Sequence, residues 1–314
     1  MGKRKTPINW KVSNEKQVEK GRKLAMLTKN MSQSISEVWD SELSEMNNGK
    51  KGPRYLYPDS LVMFLLILKQ ISGQSYRMLE GYSMLFCDRV PDYSRIQRRI
   101  NKLPKELIGN LDREVIRAKT SGKIEIIADA TGLQINGRCV WREEKYGSKK
   151  RRIWKKIHIV IDAKTNMILA CDIMDGSENE GKHENVVGVV SEAIKNTGKT
   201  VTKFYGDGSY GSNNNLTFFD YLGIEPIVRI RKDSVKKSYR KFCKGAKLSL
   251  RDKKAIEQYD WKKFVEIERY GKRSGIEGII GAFKKVFREQ LLSKLDVMIE
   301  KEVSAKVFLW NMMN

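Results

Sequence analysis

The sequence contains only two histidines, His158 and His183, among its 314 residues. So few imidazoles remove most Ser-His and Cys-His catalytic schemes and argue against a histidine-rich metal site. The four cysteines are scattered and form no CxxC pair, so the sequence indicates neither a disulfide framework nor a zinc site. Any metal would therefore have to be a hard cation held by carboxylates.

Long apolar runs are also missing. The longest, residues 61–68 (LVMFLLIL), is too short to span a bilayer and is typical of a buried helix. The first residues lack the apolar region of a signal peptide. We therefore expect a cytoplasmic protein with no membrane partner.

Acidic residues are scarce relative to bases. Asp and Glu number 38 against 61 Lys and Arg, which leaves a formal net charge of +23. This excess predicts a polyanionic partner, and nucleic acid is the commonest one. An anionic membrane surface is the alternative, but no basic amphipathic anchor is evident. Hydrophobic residues make up 40% of the chain, so we expect a folded core rather than disorder.

Residues 1–120 are predicted to form a helical N-terminal domain. The segments SYRMLEGYSML and YSRIQRRINKLP indicate two short helices, and the second, opening at Ser94, is basic. Two such helices resemble a helix-turn-helix, in which Arg95, Arg98 and Arg99 would contact DNA. A plain helical bundle with a solvated basic face explains the same pattern.

Residues 121–314 change in texture. KIEIIADATGLQI is predicted to be a buried strand, and RIWKKIHIVID with MILACDIM a strand hairpin. An amphipathic helix (HENVVGVVSEAIKN), a strand ending in a glycine-rich turn, another helix and another strand follow. This order resembles the ribonuclease-H-like fold. It predicts an α/β domain with a mixed sheet flanked by helices, preceded by an all-α domain.

A basic insertion interrupts this second domain at about residues 231–255, where only Asp233 and Asp252 are acidic. Blocks of like charge are usually solvated or disordered loops. In a chain of this net charge, a surface that contacts phosphates is an equal alternative.

Three carboxylates are candidates for chemistry. Asp129 and Asp207 are each predicted at the end of a strand that precedes a glycine, and Glu277 lies on a late helix. An acid at a strand end is often only a turn residue. However, three convergent carboxylates can hold two divalent ions of the Mg²⁺ or Mn²⁺ type, which suits in-line phosphodiester chemistry.

The stretch YGKRSGIEGIIGAFKK is predicted to be one helix with Tyr270, Arg273, Glu277 and Lys284 in a single stripe. A solvent-exposed Arg273–Glu277 pair would explain the acid without any chemistry. It would not explain why the flank of Glu277 carries three glycines, Gly271, Gly278 and Gly281.

These motifs resemble insertion-sequence DDE transposases of bacteria and archaea. Tyr270, Arg273, Glu277 and Lys284 match the Tyr-Arg-Glu-Lys signature of that family. ADATGLQI and YGDGSYGS are similar to its first and second aspartate segments. The resemblance implies that Asp129, Asp207 and Glu277 are catalytic and bind two Mg²⁺ ions, with Mn²⁺ as a substitute.

The same resemblance implies DNA strand cleavage followed by strand transfer, with Tyr270, Arg273 and Lys284 contacting DNA. The implied partners are the terminal inverted repeats and target DNA, bound by a homodimer or larger synaptic complex in the nucleoid of a prokaryote. A nuclease of the same fold without strand transfer, or an inactive DNA-binding relic, are the alternatives.

Five further residues are candidates for a role in the site or for a structural one. His183 and Glu184 either lie near the metal site or simply begin a helix. Trp141 and Trp154 either pack or stack on bases, and packing is the simpler expectation. His158, in an alternating strand, is expected to be structural.

Overall fold

The structure is a computed structural model that describes residues 10–135, 154–267 and 270–314. Its helices are α1 (Trp10–Asn47), α2 (Asp59–Ser72), α3 (Tyr76–Ser83), α4 (Tyr93–Lys102), α5 (Lys105–Lys119), α6 (His183–Thr197), α7 (Asn213–Tyr221), α8 (Lys232–Cys243), α9 (Leu250–Glu257), α10 (Trp261–Ile267), α11 (Ser274–Phe287) and α12 (Asp296–Met313). Its strands are β1 (Ile124–Ile135), β2 (Trp154–Asp162), β3 (Ile168–Asp175), β4 (Val201–Gly206), β5 (Glu225–Val228) and β6 (Gln290–Leu291). Trp141 lies outside the described residues.

The contacts divide the chain into two compact units. The first comprises residues up to Gly109 together with Lys301–Met313, and the second comprises Asn110–Glu300 and Asn314. The boundary expected near residue 120 stays a prediction. Among the described residues, no helix is both long enough and apolar enough to cross a membrane.

The first unit is helical, and α2 contains the predicted buried apolar run. Leu61, Phe64 and Leu65 of this helix are almost inaccessible to solvent. The basic helix α4 begins at Tyr93, one residue before the predicted start. Its cap is Asp92, whose Oδ1 accepts the backbone N–H groups of Ser94 and Arg95.

The connection between α3 and α4 is longer than the turn of a typical helix-turn-helix. It runs over residues 84–92, whereas that motif joins its helices by about three or four residues. The helix-turn-helix-like character of this pair stays a prediction. Whether this unit binds DNA stays a prediction.

The second unit is built on a six-stranded mixed sheet in the order β3-β2-β1-β4-β5, with β6 paired to β1. β1, β2 and β3 are successively antiparallel, whereas β4 lies parallel to β1 and β5 parallel to β4. The predicted β2–β3 hairpin and the ribonuclease-H-like α/β fold are confirmed.

Helix α6 covers one face of this sheet because its apolar residues recur at helical spacing. Val186, Val189, Val190 and Ala193 are buried in the same core cluster as Phe204 of β4. Burial of such side chains contributes about 1.5–3 kcal/mol each to folding. This packing fixes the central strands β1 and β4, which carry two of the predicted carboxylates.

A buried polar pair links β2 to the turn that follows β4. His158 is fully buried, and its Nε2 lies 2.9 Å from Tyr210 Oη. Burial lowers the pKa of His158 to about 4, so the imidazole is neutral near pH 7. The structure thus gives His158 the structural position that was predicted for it.

The low pKa of His158 should make folding stability depend on pH. An unfolded histidine titrates near pH 6.5, so between about pH 6.5 and pH 4 the unfolded chain binds a proton that the folded chain excludes. We expect the free energy of unfolding to fall as pH drops through this window, by at most about 1.4 kcal/mol per pH unit from this residue.

Urea unfolding of the wild type and of His158→Gln, each at pH 7.5 and pH 5, measures this contribution. The variant should be less stable at pH 7.5 because it loses the bond to Tyr210, but should lose less further stability on acidification. An identical loss in both proteins between the two pH values would contradict the assignment.

Candidate active site

Asp129 lies within β1, not at its end as predicted, because pairing with β2 continues past it as far as Gln134. Its side chain is 19% exposed, and Oδ1 accepts the backbone N–H of Ala130 at 2.9 Å. Burial is the main cause that raises its pKa above the ordinary aspartate value. A carboxylate is thus placed in a half-buried stretch immediately after a fully apolar one.

Asp207 follows β4 directly, as predicted, and caps the 3₁₀ turn Gly208–Tyr210. Its Oδ1 accepts both the backbone N–H, at 2.8 Å, and the hydroxyl of Ser209. The Oδ1 atom of Asp207 therefore stabilises the turn. Among the described residues, Oδ2 has no hydrogen-bond partner and remains available to a ligand.

The strand register brings these two aspartates to the same level of the sheet. Ile127 of β1 pairs with Tyr205 of β4 in parallel, and Asp129 and Asp207 each lie two residues further on. Their proximity is electrostatic as well, because the charge of Asp207 contributes to the raised pKa of Asp129. The two predicted aspartates are therefore brought together.

Glu277 reaches the same region from α11. The predicted single helix is instead a 3₁₀ turn, Tyr270–Arg273, followed by α11. Such tighter turns are common at helix N-termini. Ile276 and Phe283 anchor the buried face of α11, whereas the side chain of Glu277 is 65% exposed. Its charge also raises the pKa of Asp129.

The Arg273 guanidinium lies between two of the carboxylates. Its Nη2 is 3.5 Å from Asp129 Oδ2, and its Nη1 is 3.6 Å from Glu277 Oε1. The Nε of Arg273 is buried and has no hydrogen-bond partner in the described part of the chain. The predicted alternative, an exposed Arg273–Glu277 pair, is thus only part of the arrangement, because the guanidinium also faces Asp129.

The turn that carries Arg273 is fixed to the sheet on both sides. Lys272 Nζ lies 2.6 Å from Glu125 Oε2 of β1, and this bond holds the pKa of Glu125 below its ordinary value although burial opposes it. Tyr270 Oη lies 3.5 Å from the carbonyl oxygen of Gly206 at the end of β4. Burial raises the pKa of the Tyr270 phenol.

Sequence comparison supports the same region of the chain. The family of the transposase DDE domain matches residues 120–312. The chain belongs to this family. The resemblance read from the sequence motifs is therefore confirmed.

Relatives of this DDE domain include an uncharacterized protein of Aquifex aeolicus (strain VF5). It is 25% identical over 242 residues, which cover 72% of this chain and 74% of that protein. Similar solved structures include a piggyBac transposase synaptic complex with hairpin DNA, with 14% identity, 62% of this chain and 48% of that chain covered, and a TM-score of 0.34.

Two further similar structures are transposase complexes. The Drosophila P element transposase strand transfer complex has 10% identity, covers 68% of this chain and 50% of that chain, and gives a TM-score of 0.30. The Mos1 mariner paired end complex with Mn has 10% identity, covers 74% and 86%, and gives a TM-score of 0.23. Such low TM-scores carry no functional information.

The carboxylates of this DDE domain provide only hard oxygen ligands, which is the donor type that Mg²⁺ and Mn²⁺ prefer. Within the ranges that the structure describes, no three His, Cys, Asp or Glu side chains are gathered closely enough to hold an ion. The cation between Asp129 and Glu277 is the Arg273 guanidinium instead. The donor chemistry fits a divalent metal, and metal binding stays a prediction.

Sequence reasoning missed the residues that support the Asp207 turn. The buried Asn215 donates through Nδ2 to the carbonyls of Gly181, at 2.9 Å, and Tyr210, at 3.2 Å. A Cβ on Gly181 would overlap the carbonyl oxygen of Ser209. The only signal for these contacts was glycine in the segment GKHENV, whose close neighbour lies 28 positions away in the chain.

His183 belongs to this support and contacts no carboxylate among the described residues. It is the first residue of α6, and its Nδ1 lies 3.0 Å from Asn215 Oδ1. Glu184 is largely exposed and lies 3.7 Å from Lys182 Nζ. Both residues therefore occupy the helix start, which was the simpler of the two expectations. Trp154 begins β2, where its ring packs over Gly132.

The remaining predicted DNA contacts have protein partners. Lys284 Nζ lies 2.9 Å from Glu289 Oε1. In the helical unit, Arg99 pairs with Asp59 at 2.7 Å, and its side chain is only 14% exposed. The other two arginines of α4 bond within or next to that helix, Arg98 to Ser94 and Arg95 to Asp92. Their roles in DNA binding stay predictions.

Replacement of Gly181 by Ala should disturb the Asp207 turn. The added methyl group would have to displace the Ser209 backbone, and overpacking of this kind costs about 1–3 kcal/mol. Gly188→Ala is the matched control, because Gly188 lies in α6 with open space around it. Alanine there should stabilise the helix by up to about 1 kcal/mol. Urea unfolding measures both changes, and equal effects would contradict the packing argument.

Proposed function

We propose that this DDE-domain protein is an insertion-sequence transposase that cleaves DNA strands and joins the freed 3′-hydroxyl to target DNA. The observation that carries the proposal is that Asp129 and Asp207 lie at one level of the sheet, and that the Arg273 guanidinium lies between Asp129 and Glu277. The net charge of +23 supports a polyanionic substrate. We take the terminal inverted repeats and the target DNA as its partners.

The three carboxylates would hold two Mg²⁺ ions, or Mn²⁺ in their place. Two such metal ions, when bound, stabilise the attacking and the leaving oxygen of an in-line phosphoryl displacement. The Oδ2 atoms of Asp129 and Asp207 are the oxygens best placed to bind, because the Oδ1 atoms already accept backbone N–H groups. Those bonds hold each carboxylate in one orientation.

Arg273 has a role of its own in this proposal. Without metal, its guanidinium offsets the repulsion between Asp129 and Glu277. With divalent cations bound to the carboxylates, the guanidinium would be free to contact a phosphate of the bound DNA. Tyr270, whose hydroxyl lies near the end of β4, and Lys284 of α11 would contact the same DNA. A homodimer or larger assembly would hold two transposon ends.

Asp129→Asn should abolish metal-dependent DNA cleavage, because a neutral amide replaces a charged oxygen ligand of the kind that Mg²⁺ prefers, and should leave duplex binding intact. Asp172→Asn is a matched control, because Asp172 Oδ1 accepts the next backbone N–H at 2.9 Å just as Asp129 does. The assay is Mg²⁺-dependent nicking of a duplex that carries the DNA flanking the gene. Cleavage that survives in Asp129→Asn would refute the site, whereas Asp172→Asn should cleave DNA as the wild type does.

The same assay separates the alternatives. A transposase joins the cut ends to a second DNA molecule, whereas a nuclease of the same fold leaves free ends. An inactive relic gives no metal-dependent cleavage in the wild type.

The glycines of α11 provide an independent test. A Cβ at Gly278 or Gly281 would meet no described atom within 4 Å, so these glycines serve no packing contact there. We propose that they leave room for DNA beside Glu277. Gly278→Ala and Gly281→Ala should therefore lower cleavage while raising stability by up to about 1 kcal/mol. Gly188→Ala should raise stability without lowering cleavage. Parallel losses of folding and activity would favour a packing role.

A further inference from the structure

The basic insertion is folded into helices, and its expected contact with phosphates stays a prediction at this point. Residues 232–257 form two helices, α8 and α9, that pack against each other, and we name this segment the basic hairpin. Val235 of α8 and Ala255 of α9 are buried together with Ile230. The segment is therefore not a disordered loop, and its basic side chains project from a defined surface.

The acid inside the basic hairpin is used to hold its helices together. Asp252 is buried, accepts the hydroxyls of Ser238, at 2.6 Å, and Ser249, at 2.9 Å, and pairs with Lys241 at 3.2 Å. These bonds, that from Ser238 foremost, hold the pKa of Asp252 well below its ordinary value. The negative charge of Asp252 is thus already paired inside the hairpin, and within the described residues Asp252 forms no ion pair with a base other than Lys241.

The outer surface of α8 carries uncompensated positive charge. Lys232, Lys236 and Arg240 recur every fourth residue and are exposed, so they form one row roughly 12 Å long. Within the described residues, none of the three has an ion-pair partner. Asp233 is the only acid of α8. A row of free cations on a rigid helix is suited to a regular line of anions.

The basic hairpin is rooted next to the candidate active site. Gln258, which ends α9, accepts the backbone N–H of Ile230 and donates to the carbonyl of Val228, each at 2.8 Å. Val228 of β5 pairs with Gly206, the residue before Asp207. The Arg229 carbonyl lies so close to Gly208 that a Cβ there would approach it to 2.8 Å. One polar anchor therefore connects the hairpin to the Asp207 turn.

We infer that the outer face of the basic hairpin, through Lys232, Lys236 and Arg240, binds the phosphate backbone of duplex DNA that runs to the carboxylate site. The inference rests on the proposed function, because it takes the bound polyanion to be the substrate DNA. Long cationic side chains contact phosphates without reading bases. Binding at this face is therefore independent of sequence. An anionic membrane is the less suitable partner, since interfacial helices insert a continuous apolar face.

The test is the salt dependence of duplex binding by Lys232→Gln/Lys236→Gln/Arg240→Gln in the full chain. Each lost phosphate contact should reduce the slope of log K against log[NaCl] by about 0.9, so the triple variant should lose about 2.7. Fluorescence anisotropy with two unrelated duplexes should give the same reduction. The single variant Lys236→Gln, which removes one exposed side chain, should lose about 0.9.

Lys123→Gln/Lys164→Gln/Lys195→Gln is the matched control. These three lysines are exposed, lie in the same unit and give the same change in net charge. They lie near the edge of the sheet at which β1 and β4 begin, whereas Asp129 lies further along β1 and Asp207 follows β4. The control should keep the wild-type slope.

Three results would overturn the inference. The first is a salt-dependence slope of the triple variant equal to that of the wild type. The second is a control variant that loses as much slope as the hairpin variant. The third is a hairpin variant that loses binding to phosphatidylserine vesicles but keeps binding to DNA. In each case the wild type still binds duplex DNA, so the proposed function survives. A wild type that shows no salt-dependent duplex binding refutes the proposed function itself.

Discussion

The concentration of negative charge from Asp129 in β1, Asp207 after β4 and Glu277 on α11 is the constraint on which this site depends. Besides burial, the charges of Asp207 and Glu277 raise the pKa of Asp129, and such repulsion disfavours the folded state unless a cation stands among the carboxylates. Arg273 supplies that cation between Asp129 and Glu277. The ion pair from Lys272 to Glu125 and the buried face of α11 both serve to keep the guanidinium there.

Close backbone approach is the second requirement, and it is met around Asp207. Gly206 packs against the ring of Tyr210, and Gly208 against the Arg229 carbonyl. The buried amide of Asn215 and the His158–Tyr210 pair then fix the turn through polar contacts. A turn held by so many independent contacts keeps one conformation, which is what a site that positions oxygen ligands needs.

Acidic and basic side chains occupy different environments in the second unit. Buried or half-buried acids such as Asp252 and Glu125 are paired with lysines inside the protein, whereas the row of bases on α8 faces solvent. A large net charge by itself predicts only a polyanionic partner. The folded hairpin gives that charge a defined position, because the hairpin begins next to the Asp207 turn.

The sequence by itself determined the strand order, the buried helix α2, and the identity of Asp129, Asp207 and Glu277 as candidates, because periodicity and local motifs carry that information. It placed Asp129 at a strand end although β1 continues to Ile135, and it missed the 3₁₀ turn before α11. The reason is that strand length depends on a partner strand and helix type on local packing. Only the tertiary structure decided that Arg273 faces two carboxylates, that Asn215 and Gly181 support Asp207, and that the basic insertion is a helical hairpin. These features depend on contacts between residues far apart in the chain, and no local pattern encodes such contacts.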